Sequence, residues 1–394
     1  MTLALERIDT FVVRLPGRAD FRWLSLSRPL GEFVLLRIEA GGVEGWGEVV
    51  PLRDWGDRDG RRHGETPGTV NAIVHGEFAP WLLANEVELG ELARGLDALV
   101  VGNPYAKALV DMAAHDLAGK LLGVPVRDLL GGAARRSVRV AHMLGLMPAD
   151  EALAEARAAV ADGILALQVK GGQSAERDAS LVQALRDEHG DALWLRLDAN
   201  GGYRGRTQAR RALDALADAG VDMVEQPTLG LADLAEARRE SRAPIMADEG
   251  CWSPGDALEL VARRAVDALS VYVCKPGGLA RARAVCSIAA AAELPHDVNG
   301  SLELGIGNAA NLQLALASPA ELLPCVIPIN APAGQQTNMT AGRYFEDDVV
   351  RSPFRYADGE LLPLEGPGLG IEVDVEKVER YCVDRRSTPD PAGD

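Results

Sequence analysis

From residue 138 onward the chain repeats a single unit, and this regularity constrains its fold more than any other feature. Short apolar runs alternate with amphipathic segments: "VRVAHM", "ILALQVK", "LWLRLD", "VDMVEQ", "PIMADE", "LSVYVCK", "LPHDVNG" and "PCVIPIN", their starts roughly 23 to 30 residues apart. Each interval accommodates one strand and one returning helix, the spacing of successive βα units. Eight strands with seven intervening helices predict an α/β fold of the modified TIM-barrel type. An open doubly wound sheet is the alternative, but it carries a glycine fingerprint after its first strand, and "RVAHMLG" has none. The later "GIGNAAN" lacks a third glycine, which argues against dinucleotide binding.

Ahead of the barrel the periodicity differs. "RIDTFVVRLP" and "FVLLRIEAGGVEGWGEVV" alternate apolar and polar residues and are punctuated by glycine turns, so they predict strands. From Thr66 to Leu122 the pattern is helical, with Leu109, Met112, Ala113, Leu117 and Leu121 on one spacing and Gly123 with Pro125 as a stop. Residues 1–125 therefore read as an α+β unit. The tail "DRRSTPDPAGD" is polar and proline-containing, and is expected to be disordered.

Charge and cysteine usage narrow the functional classes. A net charge of −17 argues against nucleic acid and anionic membrane as partners, since both require a cationic face. Glu6, Arg7 and Asp9 precede any apolar segment long enough for a signal peptide or a membrane span, so a cytoplasmic protein is expected. The five cysteines are dispersed without close pairing, which suggests neither a disulfide framework nor a thiolate zinc site.

Barrel chemistry sits at the C-terminal ends of the strands. The polar residues ending consecutive runs are Lys170, Asp198 with Asn200, Glu225, Asp248 with Glu249, then Tyr272 and Lys275. Singly, each has an ordinary reading as a cap, a turn carboxylate or a snorkelling lysine. Together, three successive strands ending in carboxylates crowd like charges around one point, which is costly without a cation among them. All-oxygen ligation favours a hard ion, Mg²⁺ first and Mn²⁺ second. A lysine on the adjoining strand suits a base whose pKa is lowered by the metal and by partial burial. The chemistry suggested is removal of a proton from the carbon next to a carboxylate, the metal holding the enediolate.

These residues resemble those of the enolase superfamily, and within it the muconate lactonizing enzyme group more than the mandelate racemase group. "ALVDMAAHDLAGKLLGVPVRDLLGG" is similar to the family's bridge into the barrel, "LDAN…VEQP…ADEG" to its metal motif, and "GSLELGIGNAANLQLA" to the group's passage from seventh strand to helix. The resemblance implies a capping domain over residues 1–125, a barrel over 126–345 carrying the metal and acid/base residues, and a segment 346–394 that returns to the cap. It implies Asp198, Glu225 and Asp248 as metal ligands, with Glu249 competing for the third place. Lys170 matches the second lysine of the family's K-x-K motif, the acid/base, whereas the first lysine is Gln168 here. The lysine expected on the opposite face falls on Tyr272, and Lys275 lies three residues later. Gln168, Asn200 and Glu303 are expected at the substrate. So are the cap loops around Phe21, Arg22 and Trp23 and around Arg53, Asp54 and Trp55. His296 falls early on the seventh strand and reads as a core histidine, and His142 as a packed one.

A racemase needs proton donors on both faces of the substrate carbon, whereas an elimination needs one strong base and a weaker acid. Tyrosine in place of the second lysine tilts the expectation to a Mg²⁺-dependent dehydratase of a hydroxy acid or hydroxy amino acid. Lys170 would take the α-proton, and Tyr272 or Lys170 itself would protonate the departing hydroxyl. A racemase or epimerase of an amino acid derivative, with Lys275 or Tyr272 as second base, is the alternative. A cycloisomerase and a catalytically silent carboxylate-binding barrel complete the set. The expected partner is a small-molecule carboxylate, and the expected assembly a homo-oligomer.

Overall fold

The computed structural model describes residues 1–17, 22–24, 30–56, 64–328, 331–334 and 344–389. Seven parallel strands form one curled sheet in strict chain order: His142–Leu144, Ala166–Lys170, Trp194–Asp198, Met223–Glu225, Ile245–Ala247, Ala268–Val271 and His296–Val298. The seven expected helices follow on its outer side, from Ala149–Ala161 to Gly305–Ala317. Those beginning after Ser174 and Ser253 are capped by these serines, which accept the backbone N–H groups of Arg177 and Asp256.

The eighth run differs from its expectation. "PCVIPIN" forms no strand among its described residues, but the segment closes the barrel through two single parallel bridges, Leu322 to His296 on one side and Cys325 to Val140 on the other. Pro324 and Pro328 explain this, since neither has an N–H for a ladder.

A separate four-stranded antiparallel sheet runs in the order Cys382–Thr388, Arg7–Arg14, Glu32–Ala40 and Val43–Val49. The helix Pro104–Leu122 lies on it and ends at Gly123 in the left-handed region (φ 70°), as its pattern predicted. The approach is close enough that a Cβ on Gly45 or Gly47 would stand 2.3 Å from the carbonyl of Ala113 or 2.4 Å from that of Leu109. Cys382–Thr388 corrects the sequence reading: Asp384 to Thr388 pair with Ile8 to Val12 rather than lying disordered. A two-faced edge strand needs no apolar run when polar residues such as Ser387 and Arg385 meet Asp9 on the neighbouring strand. Residues 390–394 of that tail lie outside the described residues, as does Phe21. Among the described residues no helix is long and apolar enough to cross a membrane.

Candidate active site

Register brings the site together. Lys170 pairs with Asp198 and Asp198 with Glu225, so three adjacent strands end level with one another, and Asp248 follows the next strand directly. Asp198, Glu225 and Asp248 each offer a carboxylate oxygen within 4.8 Å of the other two, and all three are buried.

Each carboxylate is held by donors on neighbouring strands and turns. Asp198 accepts Lys170 Nζ at 2.5 Å and Asn200 Nδ2 at 3.2 Å on Oδ2, and the Asn200 N–H on Oδ1. Glu225 Oε2 accepts Gln168 Nε2 at 2.8 Å and faces Arg196 Nε at 3.2 Å, which leaves Glu225 Oε1 buried without a hydrogen-bond partner. Asp248 Oδ1 accepts Lys275 Nζ at 2.6 Å. Burial first, then the neighbouring carboxylates, push Glu225 and Asp248 above the usual carboxylate range. An orphaned buried oxygen on a member of an all-oxygen cluster fits a hard divalent cation.

Glu249 stands apart from the trio. Its Oε1 accepts Asn200 Nδ2 at 3.1 Å and Trp55 Nε1 at 3.4 Å, and burial together with Asp248 and Asp198 pushes it up to about 8. Asp248, not Glu249, completes the geometric cluster among the described residues.

Lys170 is buried, with its ammonium 5.5 Å from the centre of the Trp23 ring. Burial works to lower its pKa, but the charges of Asp198 and Glu225 outweigh that and hold it above the ordinary lysine value. The lowered value expected from sequence therefore does not arise from burial. The two glycines after it serve close approach. Gly172 has φ +89°, and a Cβ there would lie 2.1 Å from the Ala199 carbonyl. Asp178 fixes the turn by accepting the Gly172 N–H at 2.7 Å and the Tyr203 hydroxyl at 2.8 Å.

On the far side Tyr272 packs its ring 5.0 Å from Trp55, and Lys275 Nζ lies 4.3 Å above that ring. Lys275 Nζ also donates to the Asp248 and Ser270 carbonyls, so its three donors are all engaged around Asp248. Although it lies in the turn after its strand, it is buried. Burial, reinforced by the carboxylates, drives the Tyr272 phenol well above 10.

A cavity of about 20 Å³ remains at the centre, lined by Trp23, Trp55, Gln168, Lys170, Asn200, Asp248 and Tyr272 together with Leu52, Met143 and residues 300–302. Arg22 and Arg53 are exposed and line two other clefts, so neither lines the central cavity in this state. Glu303 sits behind the 300–302 turn, accepting the Ser301 N–H at 3.1 Å, and burial raises it to about 7. His142 bonds Glu155 at 2.6 Å and His296 bonds Ser318 at 2.5 Å, so both are packed.

Sequence reasoning missed Gln226. Its side-chain oxygen accepts the N–H groups of Asp248 and Gly250, at 2.8 and 3.0 Å, which sets the turn carrying Asp248. Gln226 and Asn200 both have positive φ, 39° and 42°, directly after or near a cluster carboxylate. Leu52 and Met143 were also missed, since nothing in their local pattern distinguishes a cavity wall from core.

Comparison with known proteins identifies the family. The family model described as "Mandelate racemase / muconate lactonizing enzyme, N-terminal domain" matches residues 13–131, and "Enolase C-terminal domain-like" matches residues 151–378. The chain is similar to muconate cycloisomerase 1 of Rhodococcus opacus, 34% identical over 390 residues, covering 96% of this chain and 98% of that one. Chloromuconate cycloisomerase of Cupriavidus pinatubonensis is 31% identical over 94% of this chain and 96% of its own. The crystal structure of 2-chloromuconate cycloisomerase from Rhodococcus opacus 1CP superposes with a TM-score of 0.85 at 29% identity, covering 97% of this chain and all of that one.

Proposed function

Because the chain belongs to the mandelate racemase / muconate lactonizing enzyme family of the enolase superfamily, and so is an enzyme of the lyase or isomerase type, we propose that it is a divalent-metal-dependent cycloisomerase. It acts on an unsaturated dicarboxylate of the muconate class, transferring one proton at the carbon next to a carboxylate. The observation that supports this reading is that, of the two lysine amines near the carboxylates, Lys170 lines the cavity and Lys275 does not. Lys170 lines the cavity on one side, whereas on the other Lys275 spends its donors on Asp248 and Ser270 and Tyr272 is a buried phenol.

Asp198, Glu225 and Asp248 would hold Mg²⁺ or Mn²⁺. Bound there, the ion supplies a Lewis acid that stabilises negative charge on the substrate carboxylate. Lys170, kept protonated by Asp198, donates its proton to the α-carbon as the second carboxylate of the same substrate adds to the β-carbon and closes a lactone. In reverse, Lys170 takes the α-proton and that carboxylate leaves. Trp23, Trp55 and Leu52 exclude water from the transfer.

The leaving group distinguishes this from dehydration. A carboxylate departs without protonation because it is a weak base, while hydroxide needs a proton donor. A buried phenol, which would leave a phenolate charge out of water, is a poor one. Racemisation would need a second transfer on the Tyr272 face.

The test is turnover of cis,cis-muconate and chloromuconates with Mg²⁺ or Mn²⁺, followed by loss of diene absorbance, beside β-hydroxy acids and N-acyl amino acids. Lactone formation that falls roughly 10²- to 10⁴-fold in Lys170→Met supports the reading. Turnover of the hydroxy acids alone would establish the dehydratase instead.

A further inference from the structure

Glu225 is the one carboxylate of the trio whose support comes from below, through the barrel interior. Arg196 lies two residues before Asp198 on its strand, in register with Gln168 on one side and Met223 on the other, and it is 0% exposed. Its guanidinium spans two acids on well-separated strands: Nε is 3.2 Å from Glu225 Oε2, and Nη1 bonds Asp297 on the last strand of the sheet. Nη1 also lies 3.1 Å from Met246 Sδ, and the guanidinium carbon 5.8 Å from the centre of the Trp194 ring. Gln168 Nε2 occupies the other approach to the same Glu225 oxygen at 2.8 Å.

We propose that Arg196, braced by Asp297, is a positioning residue for Glu225: it anchors Oε2 so that Oε1 alone faces the cation, and so sets the affinity of the site for a divalent metal. This rests on the reading of Asp198, Glu225 and Asp248 as metal ligands. The physical ground is that a buried carboxylate has a defined direction when one oxygen is held by a hydrogen bond from Gln168 and by the charge of Arg196 beside it, and the other is unpartnered. A carboxylate with no anchor rotates, or takes up a proton. The fork geometry matters as much as the charge, because only a guanidinium reaches two acids on different strands with separate nitrogens. Gln168 can hold one oxygen but brings no charge to balance two buried acids.

Substituting Arg196→Lys keeps the charge and removes the fork, so a change in metal affinity reports geometry rather than Coulomb attraction. Asp297→Asn is the milder variant, leaving Arg196 a hydrogen-bond acceptor but removing the charge that braces it. Arg186→Met, which breaks a pair with Asp222 away from the trio, controls for general destabilisation. Metal binding is measured by isothermal titration of Mg²⁺ and by paramagnetic titration of Mn²⁺ on proteins whose circular dichroism matches wild type. The expected result is a dissociation constant raised roughly 10- to 100-fold in Arg196→Lys and Asp297→Asn, the usual penalty for losing such a partner, and unchanged in Arg186→Met. Unchanged affinity in a folded Arg196→Lys protein overturns the proposal. If that variant does not fold, unchanged affinity in Asp297→Asn does so. Wild-type protein that binds neither ion overturns the metal-site reading itself, a separate result.

Discussion

Lys170 carries the proton in this account, and its surroundings set what each nearby substitution should do. Lys170→Met should lower turnover by roughly 10²- to 10⁴-fold, the range for a lost general acid or base, while leaving metal binding within a few-fold, measured by kcat beside Mg²⁺ titration. Tyr272→Phe should keep most activity, since the account gives that hydroxyl no proton to move. A loss as large as that of Lys170→Met would make Tyr272 a second acid and return the dehydratase to first place. Asp248→Asn should abolish saturable Mg²⁺ binding, whereas Glu249→Gln should retain it, because Glu249 is bonded to Asn200 and Trp55 outside the trio. Lys170, Asp198 and Glu225 were legible in the sequence because each ends an apolar run at a fixed interval. Asp248 and Glu249 were not separable there, since adjacent residues point to opposite sides and only the turn set by Gln226 decides which faces the cluster. Arg22 and Arg53 were misplaced for the opposite reason: a loop has no periodicity from which to read direction.

At the scale of elements, the barrel was legible because each βα unit repeats its own pattern, and the two misreadings both concern segments whose pairing is not local. The eighth run has an apolar sequence but prolines that deny it a ladder. The strand Cys382–Thr388 has a polar sequence, yet it finds a ladder on Arg7–Arg14 near the other end of the chain. Pairing at so long a separation leaves no trace in local composition. The turn after Lys170 is the most constrained of these elements. Gly172→Ala should cost roughly 1–3 kcal/mol in thermal unfolding, from its positive φ and from contact with the Ala199 carbonyl. It should also lower kcat by moving Lys170, and an unchanged melting temperature would show that the loops have slack.

Across the whole molecule, buried carboxyls tie cap to barrel and make stability depend on pH. Glu48, on the cap strand Val43–Val49, accepts the N–H groups of Leu304 and Gly307 at the start of the helix Gly305–Ala317, and Asp348 accepts that of Gly305. Burial raises Glu48 well above its usual range, Glu303 and Glu65 to about 7, and Asp348 to about 6. A carboxyl raised on folding stabilises fully below its unfolded value and loses that contribution as pH climbs through its folded one. Asp9, despite the opposing effect of burial, is lowered by its bonds to Arg7, Ser387 and Arg37, so it works the other way and loses its contribution in acid. Calorimetry in chelator should therefore show a melting temperature that falls between about pH 5 and pH 8, and a constant or rising value would contradict the burial assigned to this junction.

The central claim is that one lysine moves one proton on one face of the substrate carbon. Running the reaction with cis,cis-muconate and Mg²⁺ in heavy water, and reading the product by NMR and mass spectrometry, tests it directly. The account predicts lactone carrying a single deuteron at the carbon next to the carboxylate, in one configuration, formed roughly 10²- to 10⁴-fold more slowly by Lys170→Met. Deuterium appearing with inversion at the α-carbon of an amino acid derivative, with no lactone from muconate, would contradict it.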